Sequence, residues 1–335
     1  MRAYRLDGFG LEHLKLAEIG PPRPGPGEVL IDVKALSLNF RDLLVVEGLY
    51  NPKLKLPAVP ISDGAGIVAA VGEDVRRVKV GDQVVSHFVS GWIDGPFKAE
   101  YVGTTLGLPR AGLAAAQVAL PAEAVLPLPA GYDFAQAATL PIAALTAWSV
   151  LVTKAKLAAG QTVLTLGTGG VSIFALQFAK TMGANVVITS SSDAKLERAR
   201  QLGADHTINY RAHPDWEKQV LKLTGGRGVD VTVETGGAGT LNHSMKAAAA
   251  GGMIGMLGAL TGLKGDVELA PVLMKRLRIV GILVDSRAAF EEMHRFIEQN
   301  AIRPVIDRVY PFEQLPDALR LMKAGGHFGK IVVEL

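Results

Sequence analysis

Between residues 162 and 284, short apolar runs alternate with segments whose apolar positions recur every three to four residues. The runs TVLTL (162–166), NVVIT (185–189), HTINY (206–210), VDVTVET (229–235), MIGML (253–257) and RIVGILV (278–284) read as strands. The periodic stretches 171–182, 193–202, 215–223 and 241–250 read as helices, and Gly183 and Gly203 end the first two. Strands alternating with helices over this many units predict an α/β fold: an open, doubly wound parallel sheet. Residues 1–130 carry a different pattern. EVLIDVKAL (28–36), AGIVAAVG (65–72) and GDQVVSHFV (81–89) are short strand-like runs between glycine and proline turns, without helical periodicity. That pattern predicts a small β-barrel-like domain. Beyond the sixth strand, helices are expected at 290–299 and 314–324, with a closing strand at 329–335.

Composition narrows the function classes. With 335 residues, 49% of them hydrophobic and 20% charged, the chain has the means to bury a core. Thirty-five Lys and Arg against 32 Asp and Glu give +3 without a block of like charge, which disfavours nucleic acid as a partner. Zero cysteines exclude disulfides, thiolate zinc sites, iron–sulfur clusters and a cysteine nucleophile. The apolar run 247–260 is short and glycine-broken, so no membrane association is expected. MRAYRLDGFG lacks the apolar centre of a secretory signal, and a cytoplasmic location is the default expectation.

The candidate chemistry begins at Gly167-Thr168-Gly169-Gly170-Val171-Ser172, directly after the first strand of the alternating region and opening a helix. This is the setting of a dinucleotide fingerprint. Gly167 permits the tight turn, Gly169 lets backbone approach a pyrophosphate, and the helix start offers free N–H groups. Ser172 takes the place of the third glycine. An acidic residue at the end of the second strand would bind the 2′-hydroxyl of NAD, but Thr189-Ser190-Ser191-Ser192 stands there. Ser190 and Ser191 can donate to a 2′-phosphate and Lys195 can add positive charge, so NADPH is the expected cofactor. Asp193, a few residues past the strand end, weighs against it. Tyr210, ending the third strand, is placed to lie against the adenosine.

Further segments carry a family likeness. They are Pro24-Gly25-Pro26-Gly27-Glu28-Val29-Leu30, Asn39-Phe40-Arg41-Asp42, Gly64-Ala65-Gly66-Ile67-Val68, Val80-Gly81-Asp82-Gln83-Val84, Ala138-Thr139-Leu140-Pro141, Leu145-Thr146-Ala147-Trp148 and Gly329-Lys330-Ile331-Val332. With the glycine loop, they make the chain resemble the medium-chain dehydrogenase/reductase superfamily, in its zinc-independent quinone oxidoreductase-like branch. The resemblance implies a GroES-like catalytic domain from residues 1–130 plus 286–335. A Rossmann cofactor-binding domain, 131–285, is inserted into it, with the active site in the cleft. It also implies a homodimer, often paired through the sixth strand, for which 279–284 is an apt edge.

Zinc-dependent relatives carry cysteine where this chain has Asn39, and His-Glu where it has Ser62-Asp63, so no metal is expected. Without a Lewis acid, hydrogen-bond donors worth about 3–4 kcal/mol each must stabilise the developing charge. That suits acceptors that delocalise it, which favours quinones and α,β-unsaturated carbonyls (enones). The resemblance assigns Tyr50 and Asn39 as catalytic donors and Thr146 to the nicotinamide, while Lys330 could reach a cofactor phosphate. Asp42 and Asp63 are weaker candidates. The alternatives are a metal-free alcohol/aldehyde dehydrogenase and a cofactor-binding protein without turnover.

Overall fold

The computed structural model describes all residues, Met1–Leu335, in two compact units: Met1–Leu145 with Ser286–Leu335, and Thr146–Asp285. In chain order, the first unit opens with β1 (Arg2–Leu6), β2 (Leu14–Glu18), β3 (Glu28–Ser37), α1 (Phe40–Val46) and β4 (Asp63–Val71). It continues with β5 (Gln83–Ser86), β6 (Gln117–Pro121), β7 (Val125–Pro127) and α2 (Phe134–Ala138). The helical path then runs through α3 (Leu145–Trp148), flanked by wider turns at Leu140–Ala144 and Ser149–Lys154.

The second unit holds β8 (Thr162–Thr165), α4 (Gly170–Thr181), β9 (Asn185–Ser190), α5 (Asp193–Gln201), β10 (His206–Asn209) and α6 (Trp216–Leu223). It ends with β11 (Val229–Glu234), α7 (Leu241–Ala247), β12 (Ala248–Met256), α8 (Leu269–Met274) and β13 (Arg278–Gly281). The chain then returns to the first unit through α9 (Arg287–Gln299), β14 (Ile306–Pro311), α10 (Leu315–Lys323) and β15 (Lys330–Glu334).

In the first unit β3 is the central strand. It pairs with β4, with β6 over its first half, and with β15 over its last residues, Ser37 opposite Val332. Its burial alternates from Glu28 to Lys34 and then becomes continuous over Ala35–Ser37, the stretch paired with β15. Val29, Ile31 and Val33 point into a core shared with Val68, Val84, Val118, Phe312 and Ile331. Each such side chain contributes about 1.5–3 kcal/mol by leaving water.

The six parallel strands of the second unit run in the order β10-β9-β8-β11-β12-β13. The order reverses between β8 and β11, which is the switch point of a doubly wound sheet. Leu164, Val187, Ile208 and Val229 pack against Trp216 and Val220 of α6. No helix is long and apolar enough to cross a membrane.

Some expectations shift. The domain boundary expected at 130 lies at 145, because α2 packs on β3 and β4 of the first unit. The helix expected to reach 250 stops at Ala247: Ala248 pairs with Val229, so sheet pairing overrides alanine's helix preference. The strand expected over 278–284 ends at Gly281, before Val284 takes a left-handed φ of 43°. The helix expected from 290 begins at Arg287, since Ser286 caps it by accepting from Ala289 N–H (3.2 Å). The region whose pattern predicts short strands also contains α1, whose Asp42 reaches back to the Asn39 N–H (3.0 Å).

On α9, His294 is buried edge-to-face against Phe290 at 4.5 Å, and its Nε2 has no hydrogen-bond partner. Burial pushes the imidazole down to about 3. The folded value lies below the unfolded one, so this stability is present above about pH 6.5 and is lost as pH falls toward 3. His294→Leu is therefore expected to remove about 2–3 kcal/mol of the acid destabilisation between pH 7 and pH 4. Urea melts of both proteins at the two pH values check it.

Candidate functional site

In the second unit, β8 runs into a turn that opens α4. Gly167 has φ +74°, a conformation that side chains resist. Gly169 is the N-cap residue, and no side chain caps the helix. The N–H groups of its first turn are therefore left for a ligand. A Cβ added at Gly167 or Gly169 would meet nothing within 4 Å, so the outer side of the turn is open space. The inner side is tied down. Ser172 Oγ donates to Leu166 O (2.7 Å), Gly167 N–H donates to Thr189 Oγ1 (3.2 Å), and Thr235 Oγ1 donates to Leu166 O (2.9 Å). Serine at the third glycine position thus helps close the turn. Thr168 is buried within it, and Gly170 and Val171 begin the helix.

The neighbouring strand ends complete one group. Tyr210 N–H donates to Ser190 O (3.1 Å), placing the two ends side by side, with Tyr210 partly exposed. Ser190 Oγ accepts from Ser192 N–H (3.3 Å), and Ser192 caps α5 by accepting from Lys195 N–H (3.4 Å). Ser191 is half-buried beside them. Asp193 Oδ1 accepts from Asn209 Nδ2 (2.8 Å), so that carboxylate is engaged by the neighbouring strand. Thr146 is buried in α3 and hydrogen-bonds to none of these residues.

The sequence reading passed over the loop after β11. Glu234, fully buried, accepts from Gly236 N–H (2.8 Å), Gly237 N–H (3.1 Å), Thr240 Oγ1 (2.6 Å) and Ser244 Oγ. Its signal was available: a glycine-rich E-T-G-G-A-G-T directly after a strand.

In the first unit a buried polar cluster forms where β3 meets α1, β4 and β15. Asn39 Nδ2 donates to Asp63 Oδ2 (2.8 Å), which also accepts from Ile142 N–H (3.2 Å). Asn39 Oδ1 accepts from Lys330 Nζ (2.7 Å), whose ammonium also donates to Leu38 O (2.6 Å). Asp42 accepts from Ser62 Oγ (2.7 Å) and lies beside Arg41. Asp63 Oδ1 is buried without a partner. Burial pushes Asp63 up to about 7, opposed by the charge of Lys330, and pushes Lys330 down to about 8, opposed by the charge of Asp63. Burial also raises Asp42, against the pull of Arg41.

Two sequence assignments change in this light. Lys330 is buried with its ammonium committed inside the first unit, because β15 pairs beside β3, so it is not the free contact for a cofactor phosphate that the sequence suggested. Asn39 spends its oxygen and one N–H on Lys330 and Asp63, which leaves only long contacts of 3.5 Å to Ser37 O and Ser62 Oγ. Tyr50 stands apart from the cluster. It is 45% exposed, with the Arg41 guanidinium 4.6 Å from its ring centroid.

Residues 25–130 match the family model described as the alcohol dehydrogenase GroES-like domain, and residues 170–299 match that of the zinc-binding dehydrogenase. A zinc-type alcohol dehydrogenase-like protein of Schizosaccharomyces pombe is 44% identical over 97% of this chain and 96% of its own. The quinone oxidoreductase of Rattus norvegicus is 31% identical over 100% and 98%. Among solved structures, an NAD-dependent alcohol dehydrogenase superposes with a TM-score of 0.91 at 38% identity, covering 100% of both chains. Escherichia coli quinone oxidoreductase complexed with NADPH gives 0.87 at 25%, again covering 100% of both. A GroES-like domain joined to a parallel Rossmann sheet defines the class, and the chain belongs to the medium-chain dehydrogenase/reductase superfamily, with both quinone oxidoreductases and alcohol dehydrogenase-like proteins among its relatives. It is an oxidoreductase of that type.

The residues do not fit zinc. No three His, Cys, Asp or Glu side chains are grouped to hold a metal ion, and the Lys330 ammonium already holds the oxygens of Leu38 and Asn39. A divalent ion beside that buried cation would be repelled. They do fit a nicotinamide dinucleotide, because a cradle of uncapped N–H groups faces open space at the switch point of the sheet.

Proposed function

We propose that this oxidoreductase uses NADPH to reduce quinones or α,β-unsaturated carbonyls in the cytoplasm. The uncapped turn Gly167–Gly169 at the switch point carries the reading. Its N–H groups bind the pyrophosphate, and Ser190, Ser191 and Lys195 take the 2′-phosphate. Asp193, whose Oδ1 accepts from Asn209, remains the residue that weighs against that phosphate. Tyr210 lies against the adenosine and Thr146 near the nicotinamide. The bound coenzyme supplies the hydride. The chain's own task is to stabilise the negative charge left on the acceptor oxygen, and the Tyr50 phenol donates to it. One or two donors suffice only for an acceptor that delocalises its charge.

A metal-free alcohol or aldehyde dehydrogenase is the second reading, favoured by the alcohol dehydrogenase names of the relative at 44% and the structure at 38% identity. A quinone, an enone and an aldehyde panel, each assayed with NADPH and NADH on metal-stripped protein, separates the two. Turnover of quinone or enone with NADPH is the expected result. Aldehyde turnover alone selects the second reading, and the absence of any nicotinamide binding in calorimetry removes both. Ser190→Asp is expected to shift the NADPH/NADH preference at least about tenfold toward NADH, since a carboxylate there repels the 2′-phosphate. An unchanged ratio of kcat/KM values would remove the assignment.

The protein is also proposed to act as a homodimer paired through β13, the edge strand of its sheet. The nearby α8 leaves Leu273 and Met274 exposed, as an interface helix does. Light scattering tests this.

A further inference from the structure

We infer that Lys330 is a positioning residue: from β15, its buried ammonium fixes the orientation of the Asn39 amide and the start of the α1 segment that carries Tyr50. The amide sits between a cation on its oxygen (2.7 Å) and a carboxylate on its nitrogen (2.8 Å). Both hydrogen bonds are charge-assisted. Turning the amide over would set NH2 against ammonium and oxygen against carboxylate, so only one orientation is satisfied. The second Lys330 bond, to Leu38 O, clamps the residue before the N-cap of α1. One residue into that helix, Arg41 packs between the rings of Tyr50 and Phe88, and Tyr50 N–H donates to Leu44 O (3.0 Å). A continuous path therefore leads from Lys330 through Asn39 and α1 to Tyr50.

The charged group that acts on this pair is Asp42, which itself lies beside Arg41. Without the lysine, Asp63 loses its counter-charge and rises further, so it is protonated at neutral pH. A protonated Asp63 can donate to the amide oxygen, and the preference for one orientation is gone.

This inference rests on the proposed reductase activity only for its kinetic readout. The test compares wild type, Lys330→Met, Asp63→Asn and the double variant, each as the full chain. Each single variant leaves a buried ionisable group without its partner and should lower Tm, and the double variant should recover it. The positioning role predicts that the recovered double variant keeps kcat at least tenfold down, holds NADPH with a Kd within twofold of wild type, and loses the pH dependence of kcat near 7. Wild-type kcat and pH profile in the double variant would overturn the inference. So would a tenfold weaker NADPH Kd with unchanged kcat, which marks a phosphate contact. A readout without turnover comes from the Asn39 side-chain NH2 pair in 15N spectra. It should shift between pH 6 and 9 in wild type and stay fixed in the double variant, and a flat response in wild type would overturn the inference. Should Lys330→Met fail to fold, the double variant alone carries the spectral and kinetic comparison, since it removes the ammonium without leaving the carboxylate unpaired. A wild type that turns over no acceptor but shows the NH2 shift overturns the proposed activity and leaves the positioning role standing.

Discussion

Gly169→Val is expected to raise the Kd for NADPH at least about 100-fold, a loss near 2.7 kcal/mol, while the protein stays folded. Two observations separate the effects. Gly169 has an ordinary φ of −80°, and a Cβ there meets no atom within 4 Å, so valine fits the unliganded chain. Exchanging glycine for valine at an N-cap costs about 1 kcal/mol or less. The same open space is what a pyrophosphate must enter to reach the N–H groups, and an isopropyl group fills it. Gly167→Val is the contrasting variant. Its φ of +74° adds about 1–2 kcal/mol of backbone strain, so it should lose both affinity and stability. Calorimetry with NADPH and thermal melts of the two variants check the pair. A Kd within threefold of wild type in Gly169→Val would remove the turn from coenzyme binding.

Tyr50→Phe is expected to lower kcat by about 100-fold with the Kd for NADPH unchanged. The ring and its contact with Arg41 survive the change, and at 45% exposure the phenol oxygen does not support the core. A loss confined to kcat reports a donor that acts only in the transition state. Unchanged kinetics would reduce Tyr50 to a packing partner of Arg41. Acceptors that delocalise charge well should suffer least, so comparing a quinone with a simple aldehyde sharpens the result.

The sequence was most legible where burial is local. The strands around Val163, Val187 and Val231 read directly because both faces of a parallel sheet are covered, and an apolar run says so. The glycine turn was legible because its chemistry is spelled out in consecutive residues. What escaped was set by pairing between distant segments. Ala248 looks helical among alanines until Val229 pairs with it. Lys330 looks like a surface lysine, because nothing near it in the chain announces that Val332 will lie opposite Ser37 and draw the ammonium under Leu38. Asn39 was singled out, but its neighbours Asp63 and Lys330 lie 24 and 291 positions away in the sequence. Its engagement on both sides of the amide is a tertiary fact.

The antiparallel match of β15 to the end of β3 has a consequence for biosynthesis. A nascent chain exposes the edge of β3 long before the ribosome has made its partner, whereas every strand of the Rossmann unit emerges as one contiguous block. The inserted unit is therefore free to finish folding first, and the sheet of the first unit is completed last, by the strand that also delivers Lys330 to Asn39.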